Sequence, residues 1–482
     1  MIDFRPILFV IGILLTTLAI VMVVPGVADF AAGHTEDAFV FAASAAITLF
    51  VGVGLILTNR MARFEIRLNE AFVLTTLSWL VIACFAALPL AFSGLNLSLT
   101  DAFFEAMSGV TTTGSTVITG LDYAAPGLLL WRALLQWLGG IGIIVMALAV
   151  LPMLRVGGMQ LFRMESSDTT EKVFPRTAQI ASGIGVIYLL LTAVCATALW
   201  FSGMTGFEAV THAMTTIATG GFSTSDASIG HFGSATIDAI VTVFMILGAL
   251  PFVLYLQAVR GNSARLFKDS QVLWFLSIVA TAVAVMTVWL SAGGEPVLRA
   301  FRYASFNVIS MITGTGYSTA AFDLWGGFAV AALFFLMVVG GCAGSTTCGI
   351  KIFRFQVIYA TARRQILRLT QPHGVFIAYY NKRPITEEVA SSVMGFFFLF
   401  ALSFSMLSLG LGLLGLDFLT SVSGAASAIA NVGPGLGPVI GPGGNFAALP
   451  DAAKWLLSFG MLLGRLELYT VLVLFAPSFW RG

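Results

Sequence analysis

Apolar residues run along this chain for twenty or more positions at a time without a charge. They do so at 6–28, 38–58, 71–92, 133–154, 177–203, 239–259, 270–294, 324–350 and 389–416. A tenth run, 455–477, is broken only by Arg465 and Glu467. Each is long enough to cross about 30 Å of hydrocarbon as a helix. After the first two runs the order becomes regular. A long run is followed by a short amphipathic segment, a stretch rich in Gly and Thr, and another long run, and this happens four times.

The four Gly/Thr-rich stretches read TTTGSTVITG (111–120), TIATGGFSTSDAS (216–228), MITGTGYSTAAF (311–322) and IANVGPGLGPVIG (429–441). Aligning them puts Gly114, Gly221, Gly316 and Gly433 in register, so one unit of about a hundred residues recurs. The reading is an all-α integral membrane protein: an N-terminal two-helix hairpin (1–68), then four pseudo-repeats (69–176, 177–269, 270–386 and 387–482) around a central pore. Each short segment, such as Thr100–Val110, is about eleven residues and makes roughly 16 Å of helix, half a membrane. Such a segment dips in, turns, and returns as extended backbone.

Composition and charge sharpen this picture. With 58% apolar and 10% charged residues, the chain has too little charge to coat a water-soluble domain. The net charge of +1 hides an asymmetry. Lys and Arg cluster in alternate connections: Arg60, Arg63 and Arg67; Arg155, Arg163, Lys172 and Arg176; Arg260, Arg265 and Lys268; and Lys351 to Arg383. The positive-inside rule places these connections and both termini in the cytoplasm, and it accounts for the basic loops without a nucleic-acid partner. The first run is too long for a secretory signal and is read as structure. Cys84, Cys195, Cys342 and Cys348 lie in apolar segments without metal-ligand grouping and are expected as small buried hydrophobes.

Irregular backbone at membrane depth is tolerated only inside protein or along a water-filled path. Four Gly/Thr loops meeting at an axis satisfy that condition. Glycine allows the dihedrals that turn successive carbonyls to one side, and a ring of such oxygens replaces the water shell of a cation. The C-terminal ends of the short helices add negative partial charge at the same place.

These residues, with GGCAGSTTCGIK (340–351), NVGPGLG (431–437), Asn445-Phe446 and GRLELYTVLVLFAPSFW (464–480), resemble the Trk/Ktr/HKT superfamily of potassium transporters. Within it the chain is most similar to the TrkH-type potassium uptake subunit, whose extra N-terminal hairpin it shares. The resemblance spans essentially the whole chain. It implies potassium uptake across a bacterial inner membrane by channel-like conduction. It also implies a homodimer with one pore per protomer, gated by a cytosolic ring of nucleotide-binding regulatory subunits of the TrkA type. The ions would bind at Thr112, Thr113 and Gly114; Thr219, Gly220 and Gly221; Gly314, Thr315 and Gly316; and Asn431, Val432 and Gly433. K+ is the bound and transported ion, and no organic cofactor is expected. The chain departs from the family pattern at Ser115, Gly314 and Asn431-Val432, positions that bear on discrimination against sodium.

Two elements would form the gate. The small-residue run Gly340, Gly341, Cys342, Ala343, Gly344, Ser345, Thr346 and Thr347 interrupts a membrane span. Its composition suits a hinge, and by resemblance it is an intramembrane loop obstructing the pore; a close-packed helix interface of small residues is the alternative. It fails as a nucleotide-binding P-loop because its Lys is one position late and no Ser or Thr follows. Arg465 lies within a span, where a lipid-facing arginine costs about 2.5–3.5 kcal/mol. The resemblance puts it in the cavity below the loops; an ion pair with Glu467 or snorkelling to the interface is the alternative, though residues two apart on a helix do not share a face.

Arg132, at the start of a span, is expected to snorkel outward. Asp101, Glu105, Glu208, Asp417 and Asp451 lie near outer segments, where they concentrate cations or cap short helices. Arg299 and Arg302 have no reading beyond packing. An ion-coupled symporter remains a competing mechanism, since nothing in the sequence decides coupling. A secondary transporter of organic solutes would show two inverted halves rather than four same-direction units. An intramembrane enzyme would need a catalytic constellation that the spans lack.

Overall fold

The computed structural model describes residues 2–60, 66–149, 158 and 173–481. Arg63, Arg155, Arg163 and Lys172 of the basic connections, and the end of the expected run at 150–154, lie outside them. Among the described residues the regular structure is helical apart from a two-residue ribbon, Tyr379–Tyr380 paired antiparallel with Arg383–Pro384, whose turn residues Asn381 and Lys382 both have positive φ.

Helices α1 (Phe4–Ala32) and α2 (Thr35–Thr58) form the N-terminal hairpin. Gly12 and Gly52 let the two backbones touch, since a Cβ on Gly12 would lie 2.8 Å from the Gly52 carbonyl oxygen. The chain reverses at Gly33, whose φ of +88° a side chain would oppose. Helix α3 (Leu68–Phe92) starts at Arg67, where Glu70 accepts from the Arg67 amide and also from the Asp3 amide, tying the hairpin to the next helix.

The long–short–loop–long order then runs four times. It comprises α3, α4 (Leu99–Val110) and α5 (Pro126–Ala149); α6 (Val173–Phe201), α7 (Gly206–Ile217) and α8 (Ala235–Ala249); after the short helix α9 (Phe252–Val259), α10 (Ser270–Ala292), α11 (Val297–Ile312) and α12 (Gly327–Val339); and, after α13 (Ile352–Thr370), α14 (Glu387–Leu413), α15 (Phe418–Ala430) and α16 (Asp451–Arg465). Three of the four short helices begin at readable capping signals. Ser98 caps α4, a Thr205–Glu208 capping box starts α7, and Asp417 accepts from the Thr420 amide at the start of α15. Hydrogen bonds from Thr420 hold the Asp417 carboxyl below its ordinary range. The short helices have 12, 12, 16 and 13 residues. At 1.5 Å per residue none spans the hydrocarbon. They form the centre: α4 is buried from Ala102 to Val110 and α15 from Ser423 to Ala430. The long helices surround them and expose apolar side chains such as Phe50 and Phe398, as contact with lipid requires.

Seven helices among the described residues are long and apolar enough to cross a membrane, or up to nine if two bent pairs each count as one span. Three expected runs are not single helices. The run 239–259 breaks before Pro251, where α8 and α9 meet at 92°. The run 324–350 ends its helix at Val339, because Gly340 has a φ of +75° and a Cβ there would overlap the Cys348 carbonyl oxygen. The run 455–477 bends by 110° after Arg465, where Glu467 and Leu468 both take positive φ before the short helix α17 (Tyr469–Leu472). Cys195, Cys342 and Cys348 are buried, but Cys84 is exposed on the outer face of α3; an apolar surface suits a thiol as well as a core does.

Asp29 links the hairpin to the repeats. Buried in the last turns of α1, it accepts the Gly127 amide at 2.5 Å and so caps the otherwise open N-terminus of α5. Asp29→Ala is expected to cost about 1–2 kcal/mol, the usual loss of a helix cap, seen as a lower melting temperature in detergent. An unchanged melting temperature would show that the cap is dispensable.

Candidate functional site

At the C-terminal end of each short helix the chain enters a loop with the same twist. Two positions before the aligned glycine stand Thr112 (φ 53°), Thr219 (φ 49°), Gly314 (φ 75°) and Asn431 (φ 53°), all left-handed. At the glycine itself φ is 87° for Gly114, 79° for Gly221 and 80° for Gly316. The residue between them in these three loops, Thr113, Gly220 or Thr315, keeps ordinary φ, so successive peptide planes rotate to a common side. Gly314 therefore sits where a left-handed conformation is required, which makes it compatible with the positions that carry Thr or Asn elsewhere.

The four loops touch one another in a closed ring. A Cβ on Gly114 would overlap the Gly220 carbonyl oxygen, and one on Gly221 would overlap that of Thr315. One on Gly316 would come to 2.7 Å from the Gly433 amide nitrogen, and one on Gly433 to 3.1 Å from the Gly114 carbonyl oxygen. Loop one thus meets two, two meets three, three meets four, and four meets one. On one side the ring opens into a cavity of about 250 Å³, to which all four aligned glycines contribute.

Side chains lock the loops laterally. Asn431 donates to the Thr113 hydroxyl and the Met461 carbonyl, both at 2.9 Å, so this departure from Thr ties loop four to loop one. Ser115 donates to the Gly433 carbonyl at 2.7 Å, another tie across the same seam. Gln136 donates to the Gly220 carbonyl at 2.5 Å and accepts from the Phe222 amide at 3.0 Å. The Gly220 carbonyl thus accepts from Gln136, and the Gly433 carbonyl accepts from Ser427 at 3.2 Å as well as from Ser115. The Tyr317 hydroxyl bonds to that of Thr215, holding loop three to helix α7. Val432 is buried beside the ring.

Beneath the ring, on the side away from the cavity, residues 340–351 form an irregular loop between α12 and α13. Gly340 to Cys348 are all buried. The Thr346 hydroxyl donates to the carbonyls of Ile217 and Gly248 and accepts from the Thr219 hydroxyl at 3.0 Å. Further bonds hold the loop on both flanks: the Phe252 amide donates to Gly344 and the Ala343 amide to the Gln271 side chain. Contact through Thr219 puts this run directly under loop two.

Arg465 is 1% exposed. It donates to the Thr346 carbonyl at 3.3 Å, the Cys348 sulfur at 2.8 Å and the Gly139 carbonyl at 2.7 Å. Its guanidinium also lies 5.5 Å from the Trp79 ring centre. It neither snorkels nor pairs with Glu467. That carboxylate is taken by Lys351 at 2.9 Å and by Arg354. The break after α16 sends the two side chains to different neighbours.

Some of the other charged residues sit differently from their sequence reading. Arg132 does not reach the outer interface: it is 2% exposed and pairs with fully buried Glu105 at 2.8 Å. Glu105 is therefore not a free acid at the mouth. Asp101 pairs with Lys454 at 2.5 Å, Glu208 belongs to its capping box, and Asp451 is exposed in the first turn of α16. Arg302 bridges α11 to Asp238 on α8 at 2.8 Å, a contact between repeats that its sequence position did not reveal. Arg299 makes an exposed contact with Glu295, an arrangement worth little.

A family model described as TrkH, a cation transport protein, matches residues 37–481. The Trk system potassium uptake protein TrkI of Halomonas elongata is 48% identical over 478 residues, covering 99% of this chain and 97% of that protein. The Trk system potassium uptake protein TrkH of Salmonella typhimurium is 38% identical over 488 residues, covering 99% of both. The crystal structure of the potassium transporter TrkH from Vibrio parahaemolyticus superposes with a TM-score of 0.92 at 36% identity, covering both chains completely.

Proposed function

Because the chain belongs to the TrkH family of cation transport proteins, we propose that it takes up potassium across a bacterial inner membrane by channel-like conduction through the ring of four loops. The observation that carries this reading is the closure of the ring. Four left-handed turns in mutual contact, each at the C-terminal end of a short helix, collect backbone oxygens and helix-end partial charge around one axis. A bare monovalent cation gains there what it loses from water. The binding residues are Thr112, Thr113 and Gly114 in loop one, Thr219, Gly220 and Gly221 in loop two, Gly314, Thr315 and Gly316 in loop three, and Asn431, Val432 and Gly433 in loop four.

The gate is the run Gly340–Thr347 together with Arg465. The loop lies under the ring through its Thr219–Thr346 contact, and the guanidinium braces it from the opposite wall through Thr346, Cys348 and Gly139. Opening would require the loop to move and the positive charge to leave the ion path. The four pore units run over 69–176, 177–269, 270–386 and 387–482, behind the hairpin 1–68. Both termini and the basic connections face the cytoplasm. The assembly is a homodimer bound to a TrkA-type ring of nucleotide-binding subunits, which would act on the cytoplasmic ends of the helices that carry the gate.

Rubidium uptake into proteoliposomes holding the purified protein, with potassium or sodium as competitor, tests this reading. Potassium should compete at far lower concentration than sodium. No uptake above empty liposomes, with or without the nucleotide-binding partner, would contradict it.

A further inference from the structure

The outgoing limb of each loop has no regular ladder to hold it, so the positions of the ring's oxygens depend on other contacts. In each repeat one side chain of the short helix meets that limb at the same place. Nine positions before the aligned glycine stand Glu105, His212, Asn307 and Gly424. Glu105 accepts from the Val117 amide at 2.9 Å and from the Thr116 hydroxyl, three and two positions past Gly114. His212 Nε2 meets the Ser223 hydroxyl at 3.0 Å, two positions past Gly221. Asn307 accepts from the Thr319 amide at 3.3 Å and donates to the Thr319 hydroxyl at 3.0 Å, three positions past Gly316. In the fourth repeat Gly424 has no side chain, and its neighbour Ser423 takes the role, accepting from the Leu436 amide at 3.0 Å, three positions past Gly433. Glu105, His212, Asn307 and Ser423 are all fully buried.

We propose that these four side chains are brackets that set potassium-over-sodium discrimination by fixing the outgoing limbs of the loops, with the Glu105–Arg132 pair as the dominant member. The proposal rests on the conduction reading above. Glu105 dominates because its bracket is charged and spans two loops. Arg132 donates to Glu105 at 2.8 Å, to the Thr116 hydroxyl of loop one at 3.2 Å, and to the Ser223 carbonyl of loop two at 2.9 Å. Its guanidinium also lies 4.1 Å from the Phe222 ring centre. A buried ion pair is a poor device for stability, because desolvation offsets most of the attraction, but removing one partner leaves the other strongly uncompensated. Such a pair suits a position that must not drift. Bonds to charged groups are also shorter and stronger than the neutral ones at Asn307 and Ser423, so the seam between loops one and two is the stiffest.

The His212 bracket works as a neutral imidazole. Nδ1 faces the Glu208 carbonyl at 2.8 Å, which only accepts, so Nδ1 carries the proton and Nε2 accepts from Ser223. The same Ser223 offers its carbonyl to Arg132, so the first two brackets converge on one residue. Glutamine reproduces the acceptor at position 212; leucine removes it.

The test measures rubidium and sodium uptake separately in proteoliposomes of the full-length protein, alongside melting temperature. Glu105→Gln is expected to lower the rubidium-to-sodium ratio about tenfold, the effect of losing one charge-assisted bond at a discriminating site. His212→Leu should lower it by a smaller factor, and His212→Gln should recover most of the wild-type ratio. A purely structural role would lower melting temperature and total flux but leave the ratio alone. Wild-type ratios in both Glu105→Gln and His212→Leu would overturn the proposal, and so would equal losses in His212→Leu and His212→Gln. If Glu105→Gln does not fold, the His212 pair decides alone. A wild-type protein that takes up no rubidium is a different result, which removes the conduction reading itself.

Discussion

Arg465→Ala is expected to raise basal rubidium flux by more than an order of magnitude. A unit charge about 8 Å from an ion's path, at an effective dielectric near 20, opposes a cation by about 2 kcal/mol, roughly thirtyfold in rate. The substitution also removes the donors that Thr346, Cys348 and Gly139 share, so the loop loses its brace as well as the path losing its charge. Arg465→Lys retains the charge without the planar fork and should stay close to the wild-type flux. Uptake per folded protein distinguishes the two. Wild-type flux in Arg465→Ala would remove this residue from the gate and leave it a packing element between α16, α5 and the loop.

Gly316→Ser should lower the rubidium-to-sodium ratio by about tenfold or more, through the ring's geometry rather than its charge. The residue has a φ of +80°, and its Cβ would sit 2.7 Å from the Gly433 amide nitrogen and 2.9 Å from Pro434 Cδ. Neither neighbour is the end of a flexible side chain, so loops three and four must part by some tenths of an ångström. The strain of a side chain in this region adds of order 1–3 kcal/mol, visible as a lower melting temperature. The ratio is the informative readout. A destabilised protein with undiminished preference for rubidium would show that the contact between Gly316 and loop four does not set selectivity.

Much of this architecture is legible in the sequence because membrane and pore impose local rules. The long runs, the fourfold order and the aligned glycines follow from hydrocarbon thickness and from turns that only certain residues enter easily. Helix starts at Thr205–Glu208 and Asp417 are likewise local, each a side chain meeting an amide three positions on. What local rules miss is where helices break. Pro25 and Pro89 stay inside α1 and α3, whereas Pro251 opens a new helix at 92°, so proline alone does not distinguish continuation from a break. At Glu467 and Leu468 there is neither Gly nor Pro. The bend there accompanies ion pairs from Lys351 and Arg354, more than a hundred positions away. Arg132 is misread for the same reason: its location near a span end suggests the interface, and its partner Glu105 lies across the whole of loop one. The signal available was that Arg132 is the only charge in the apolar helix α5 and that Glu105 lies in the apolar half of α4. The bracket positions became visible only after the aligned glycines gave a common origin for counting.

Anomalous diffraction from crystals grown in rubidium decides whether the four loops act together as one ion-binding ring. Rubidium is expected on the axis of the ring, within coordination distance of oxygens from all four loops, and displaced by potassium more readily than by sodium. Rubidium bound elsewhere with the ring vacant, or held by one loop alone, would contradict that expectation.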